Sequence, residues 1–409
     1  MTGRPTQASV PAHDFPALDT LRAVGALAVL TTHTTFWSGD YTRHLWLGTL
    51  FSRLDVGVAL FFVLSGFLLS RPWILAAATA GRAPGTGRYA WKRFLRIVPV
   101  YAVTVVVAYV FIEANQDRSL PDLASTLLML DSYHDTELPD GLTQMWSLSV
   151  EVAFYAILPL LMAALLGRRP SWHPTRVAVG LGLAGVCALV WWGWAAFAVS
   201  DSVDASPLQW LPGYLLWFSI GIGFAWLHIG STTNRAGARA RATTAQARRL
   251  AARPGVMWVL ALGLLLISAT PLAGPALLAS PTPAQAVVKN LVYAAVAACV
   301  VLPAVFGDPH AISSKVMAHR LPRHIGLISY SLFCIHLPVL HLVMWGTGWA
   351  LFEGHGLQIW TLTLVLSLVL AELLYRVVEL PAMRLRNLGR RGAPDSPSTS
   401  SAATATTTR

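Results

Sequence analysis

Apolar residues in this 409-residue chain fall into long runs. They show neither the narrow apolar stripe of a water-facing helix nor the alternation of a half-buried strand. Runs of about 17–25 apolar residues, long enough to span a hydrocarbon core, lie near 17–37, 54–71, 97–113, 147–166, 177–199, 210–228, 255–272, 286–306, 325–346 and 357–378. The pattern predicts an all-α, polytopic membrane helix bundle of about ten transmembrane helices. A stretch at 122–131 is too short to span and is expected to be interfacial or re-entrant. The first run is interrupted by Arg22 and His33, so it reads as a retained first helix rather than a cleaved leader. No soluble second domain and no internal repeat is expected. The chain divides into an N-terminal tail (1–16), a transmembrane domain (17–386) and a Ser/Thr/Ala-rich tail (387–409) expected to be disordered. The Ala/Arg/Thr-rich segment 229–254 is expected to be partly helical or disordered.

Composition agrees with this division. Hydrophobic residues make up 55% of the chain and charged residues 12%, about half the ~25% of a soluble domain. A soluble protein this apolar would expose patches large enough to aggregate. The net charge of +11 does not point to nucleic acid, because the cations cluster between the apolar runs. Of thirty Lys and Arg, only Arg43, Arg53, Arg118 and Lys289 fall near or beyond the expected outer ends. Positive residues favour cytoplasmic loops, so both termini are expected in the cytoplasm and the number of spans is expected to be even. Cys187, Cys299 and Cys334 show no metal or disulfide spacing and read as small core residues.

Ionisable groups inside a span are costly, and each is a candidate for function. Arg22 and His33 are eleven residues apart on the first helix, which puts them on nearly one face, roughly 16 Å apart along the axis. Asp19 precedes them. Alone, Arg22 also reads as a snorkelling anchor and His33 as an interfacial polar residue. On the second helix Ser65 and Gly66 suit close helix packing. Arg93 and Arg96, three apart at the entrance of the third helix, can grip phosphate or simply anchor an inner end. Glu151 stands inside the fourth helix after Trp146 and Ser147, at a depth similar to His33. A carboxylate that orients an imidazole is a usual general-base arrangement, and a structural salt bridge is the competing reading. Tyr330, Phe333 and His336 form a stripe on the ninth helix, which also reads as packing. Glu379 is expected to cap a turn or pair with Arg376.

These residues together resemble the membrane acyltransferase-3 family, whose members O-acylate surface polysaccharides, peptidoglycan, glycolipids and some macrolides. Leu18-Asp19-Thr20-Leu21-Arg22 with His33 is similar to the family's Arg-X10-His motif. Leu60-Phe-Phe-Val-Leu-Ser-Gly-Phe67, the Arg93/Arg96 pair before Pro99, Trp146-Ser-Leu-Ser-Val-Glu151, and Ser329-Tyr330 leading to His336 follow in the family's order. Two positions depart from it: Ala59 stands where an acidic residue is common, and Phe333 where a tyrosine is.

The resemblance implies an enzyme of the cell membrane, multi-pass in a bacterial plasma membrane, with no bound cofactor or metal. It implies an acyl-CoA co-substrate, acetyl-CoA first, and a hydroxyl acceptor on a cell-envelope glycan or glycolipid. A macrolide or other secondary metabolite is the second acceptor class. Arg22, Arg93 and Arg96 would hold the donor's phosphates, with His33 as general base or acyl carrier and Glu151 orienting it. Asp19, Ser65, Trp146, Ser147, Tyr330 and His336 would line the cavity or assist. From another class, a transporter or flippase also fits many spans with buried charges.

Overall fold

The protein is described by a computed structural model covering residues 15–43, 45–134, 137–200, 205–276 and 280–387. Residues 1–14 and 388–409, and with them the disorder expected of the C-terminal tail, lie outside the described residues. Among the described residues there is no strand. Each of the ten apolar runs is a helix: α1 (Pro16–Ser38), α2 (Gly57–Thr79), α3 (Thr86–Phe111), α4 (Trp146–Leu166), α5 (Pro174–Val190), α6 (Leu215–Thr232), α7 (Pro254–Ser268), α8 (Pro283–Phe306), α9 (Ser329–Thr347) and α10 (Gly356–Leu374).

Eight of these helices, with their continuations, are long and apolar enough to cross a membrane. A ninth is counted if Ala238–Ala251 and α7, which meet at 88°, form one bent span. This agrees with the expected bundle of about ten, and the two runs that do not pass alone differ in length or polarity. Helix α7 has only 15 residues, about 22 Å of rise. Helix α1 has 23 residues, but Asp19, Arg22, His33 and a run of threonines make it too polar to face lipid. Its neighbours α2, α9, α10 and the short helix Arg320–Leu327 enclose it instead. The segment 229–254, left open between helix and disorder, forms the helix Ala238–Ala251, which packs against α6 and α8. The short stretch 122–131 begins as the helix Leu120–Leu127, started by a Ser119/Asp122 capping box. It is tied across α3 by the Tyr101 hydroxyl on the Thr126 carbonyl.

The outer surface is apolar. Val106, Val110, Phe111, Leu160, Trp194 and Val259 are all more than half exposed, which only a hydrocarbon solvent makes comfortable. Cys187 is exposed on this surface rather than in the core; Cys299 and Cys334 are buried. Central and peripheral helices separate clearly: 72% of the most apolar window of α9 is buried, against 11% of that of α5 and its continuation. Without a hydrophobic drive between helices in lipid, close packing holds them together. Helices α2 and α6 approach so closely that a β-carbon on Gly66 would overlap the Phe218 carbonyl, and one on Gly221 the Val63 carbonyl. The rings of Phe62, Phe218 and Phe154 stack beside that contact, with centroids 4.6 and 3.8 Å apart. Gly221→Leu is expected to destabilise the bundle by about 1–3 kcal/mol, the usual range for overpacking. The readout is the melting temperature in detergent, and a wild-type value would remove this contact from the account.

Candidate active site

Helices α1, α2, α3, α4 and α9 surround a central cavity of about 280 Å³. Arg22 reaches it from α1 and Arg93 from α3, and Glu151 lines it from α4. Glu151 Oε1 accepts hydrogen bonds from the Ser65 hydroxyl and from the Tyr155 hydroxyl at 2.5 Å. Tyr155 is one turn along from Glu151 on the same helix face, so the carboxylate is held by its own helix and by α2. Arg22 Nε donates to Ser329 Oγ at 3.4 Å. The Arg93 guanidinium lies 6.0 Å from the centre of the Tyr155 ring, and its Nε has no hydrogen-bond partner among the described residues. Neither Arg22 nor Arg93 is paired with a carboxylate among the described residues. Two cations thus face one carboxylate, and the cavity carries an excess of positive charge.

Arg96 is turned away from this cavity. Three residues advance a helix by 300°, so Arg93 and Arg96 point about 60° apart. That is enough to send Arg96 to Glu379, which is fully buried and forms an ion pair with it. The other Glu379 oxygen accepts from the Ser331 hydroxyl at 2.6 Å. Glu379 closes a π-helical turn, Tyr375–Glu379, and the wider turn re-aims its side chain inwards. It neither caps a turn nor meets Arg376. That arginine instead pairs with Glu372 at 2.5 Å, which also holds His324 at 2.7 Å.

The His33 and His336 rings stack at the α1–α9 interface. His33 Nδ1 and His336 Nε2 are 3.0 Å apart, and His336 Nδ1 is 2.7 Å from the Phe333 carbonyl oxygen. A carbonyl only accepts, so His336 Nδ1 carries the proton. With both rings neutral, His336 Nε2 then accepts from His33 Nδ1–H. The chain of bonds leaves the lone pair of His33 on Nε2, which has no hydrogen-bond partner among the described residues and belongs to a half-buried side chain. Pro338 helps to shape this site. It has no N–H, so the Cys334 carbonyl four residues earlier is freed, and Gln144 Nε2 donates to it at 3.0 Å.

The model of an acyltransferase domain matches residues 15–376. The chain belongs to the membrane acyltransferase-3 family. Over 92% of its length this acyltransferase is 29% identical to the acyltransferase MdmB of Streptomyces mycarofaciens, covering 93% of that protein. It is 26% identical to nodulation protein 10 of Rhizobium leguminosarum over 90% of its length and 93% of the relative's. A shorter match, 28% identity over 41% of the chain, covers 27% of the peptidoglycan O-acetyltransferase OatA of Listeria monocytogenes. No solved structure matches.

The geometry of this acyltransferase regroups the residues expected from sequence. Arg22, Arg93, Glu151, Ser65, Ser147 and Tyr330 share the central cavity. Arg96 does not, because Glu379 takes its charge. Asp19 also lies outside and pairs with Arg323 at 3.5 Å. Trp146 lines a different cavity. No hydrogen bond joins His33 to Glu151: His336 takes the orienting place expected for the carboxylate. Arg22 and His33, expected to line one cavity, are separated by Phe61 and Phe333. Both rings line the cavity, with centroids 6.1 Å apart, and the Phe61 ring tip rests against Gly25, between Arg22 and His33. Tyr155, Gln144 and Glu379, which hold Glu151, the Cys334 carbonyl and Arg96, were not expected in the site. Of these, only Tyr155, one turn from a membrane carboxylate, had a signal in the sequence.

Removing Glu379 leaves Arg96 as a buried charge without a counter-ion, which is expected to destabilise the fold by about 3–5 kcal/mol. Glu379→Gln should therefore melt well below wild type in detergent. Replacing both partners, as in Arg96→Met with Glu379→Leu, should recover most of the loss. Equal melting of the single variant and wild type would show that the pair is not structural.

Proposed function

We propose that this membrane acyltransferase moves an acyl group, acetyl first, from acyl-CoA to a hydroxyl of a glycan or glycolipid of the cell envelope. The observation that carries the reading is the meeting of two unpaired arginines in one cavity, with an oriented imidazole just beyond its aromatic wall. Arginines present planar, forked donors that suit phosphate, so Arg22 and Arg93 are assigned to the phosphates nearest the pantetheine arm. A cavity of about 280 Å³ is at the small end of ligand pockets, ~300–1,000 Å³. It suits the reactive end of a long donor, with the nucleotide outside. The abundance of cations at the ends shared by α1 entry and α3 entry supports a cytoplasmic donor side, where acyl-CoA is made.

In this mechanism His33 Nε2 takes the proton of the acceptor hydroxyl while its oxygen attacks the thioester carbonyl. The tetrahedral intermediate collapses, the C–S bond breaks, and the leaving thiolate recovers the proton from the imidazolium. His336, fixed by the Phe333 carbonyl, holds the His33 tautomer that leaves Nε2 basic. Glu151, held by Ser65 and Tyr155, faces the donor's acyl end. For thioester and His33 to meet, Phe61 and Phe333 must swing aside. The full-length relative named as an acyltransferase and the partial match to a peptidoglycan O-acetyltransferase support an O-linked product and a sugar hydroxyl.

The test is transfer of labelled acetyl from acetyl-CoA to peptidoglycan fragments by the purified protein in nanodiscs. His33→Ala is expected to keep the fold and lose about 10²- to 10⁴-fold in kcat, the usual worth of a general base. Turnover at the wild-type rate would remove His33 from the chemistry. Arg93→Ala should raise KM for acetyl-CoA with kcat little changed, as expected for loss of uniform donor binding. Arg96→Ala should instead lower the melting temperature. A donor KM raised by Arg96→Ala but not by Arg93→Ala would move the phosphate site.

A further inference from the structure

A second polar cavity, used by none of the steps above, lies near the start of α2. Its volume is about 360 Å³, within the ~300–1,000 Å³ range of small-ligand pockets. One wall is aromatic. Tyr214 is its hub, with ring centroids 5.4 Å from Trp146, 5.7 Å from Trp192 and 5.0 Å from Trp217. Trp192 belongs to a π-helical turn, Trp191–Ala195, that continues α5. The opposite wall is charged. Lys289 Nζ and Asp55 Oδ2 are 2.8 Å apart, and each side chain keeps 32% of its surface exposed. The Tyr293 hydroxyl also donates to Asp55. Behind this pair, Arg53 and Asn290 are each only 2% exposed. Arg53 Nε and Asn290 Oδ1 have no hydrogen-bond partner among the described residues, although buried polar atoms are almost always bonded to protein, water or ligand.

The two walls together define a chemistry. A hydrocarbon chain would leave Asp55, Lys289 and the buried amide unused and desolvated. An anion would be opposed by Asp55, and a cation by Lys289. A sugar ring satisfies both walls: its C–H face packs on an indole, and its hydroxyls donate to the carboxylate and accept from the ammonium. The cavity also adjoins the reaction site. Trp146 is followed by Ser147, which lines the central cavity, and Phe62 of that cavity packs edge-on against Tyr214 at 5.5 Å. We infer that this cavity is a sugar-binding site, formed by Trp146, Trp192, Trp217 and Tyr214 opposite Asp55 and Lys289, that recognises a ring of the acyl acceptor. Its role as acceptor site rests on the acyl-transfer reading; the binding of a sugar does not.

The experiment is saturation-transfer NMR on the full chain in nanodiscs. The probes are methyl β-N-acetylglucosaminide, for a glycan ring, and a glycosylated macrolide, for a secondary metabolite. Wild type, Trp192→Ala and Asp55→Asn are compared, with KM for acetyl-CoA measured alongside as a check on folding. Wild type is expected to saturate the ring protons of one probe or both, and the responding probe names the source of the sugar. Trp192→Ala is expected to weaken binding about tenfold, equivalent to ~1.4 kcal/mol, with acceptor KM rising in step and donor KM unchanged. Asp55→Asn should act in the same direction. Ring saturation that survives both substitutions, or is absent from wild type while acetyl transfer to other hydroxyls proceeds, overturns the site and leaves the acyltransferase reading standing. Saturation that depends on Trp192 without any acyl transfer supports the sugar site and removes the proposed transfer from acetyl-CoA to a sugar hydroxyl.

Discussion

Helix α1 carries Asp19, Arg22 and His33 into a bundle whose outer surface is suited only to hydrocarbon, and each of these side chains needs a polar partner inside the protein. The partners come from the far end of the sequence. Asp19 meets Arg323, Arg22 meets Ser329 and His33 meets His336. Helix α9 and the short helix before it are therefore tied to α1 at three levels. The His33 imidazole and the Arg22 guanidinium are positioned by the same contacts that make a polar helix tolerable in a bilayer. The neighbouring helices follow: α2 closes on α1 and α6, and α10 packs over the α1–α9 seam.

Charge inside the bundle is handled in two ways. Where a cation has a buried counter-ion, as Arg96 has Glu379, the pair is structural and closed to ligands. Where cations have none among the described residues, as with Arg22 and Arg93, the cavity keeps an excess of positive charge. Glu151 does not neutralise it through an ion pair, because Ser65 and Tyr155 hold that carboxylate by hydrogen bonds instead. The second cavity is arranged differently, with Asp55 and Lys289 cancelling beside a cluster of aromatic rings. A pocket of net charge and a pocket of balanced charge thus stand on either side of Phe62 and Trp146.

The ten helices, the inward position of Arg22, Arg93 and Glu151, and the family itself were legible from run length and from motifs in order. These depend on local hydrophobicity and on spacing along one helix, which the chain writes directly. The partner of each charged group was not legible. Arg93 and Arg96 look equivalent in sequence, yet 60° of helical rotation sends one to the cavity and the other to a glutamate 283 residues away. Glu151 and His33, expected at a similar depth, take different partners: Ser65 and Tyr155 hold the carboxylate, and His336 bonds the imidazole.

What the sequence determined by itself was the solvent of the fold, the number and approximate bounds of its helices, and which side chains would be too polar for lipid. Hydropathy and helical period are properties of neighbouring residues, so they need no knowledge of the rest of the molecule. Only the tertiary structure decided that His336 rather than Glu151 orients His33, that Arg96 is neutralised by Glu379, and that Trp146 faces a second cavity. Those outcomes depend on the rotation and tilt of helices hundreds of residues apart, where a shift of a fraction of a turn exchanges one hydrogen-bond partner for another.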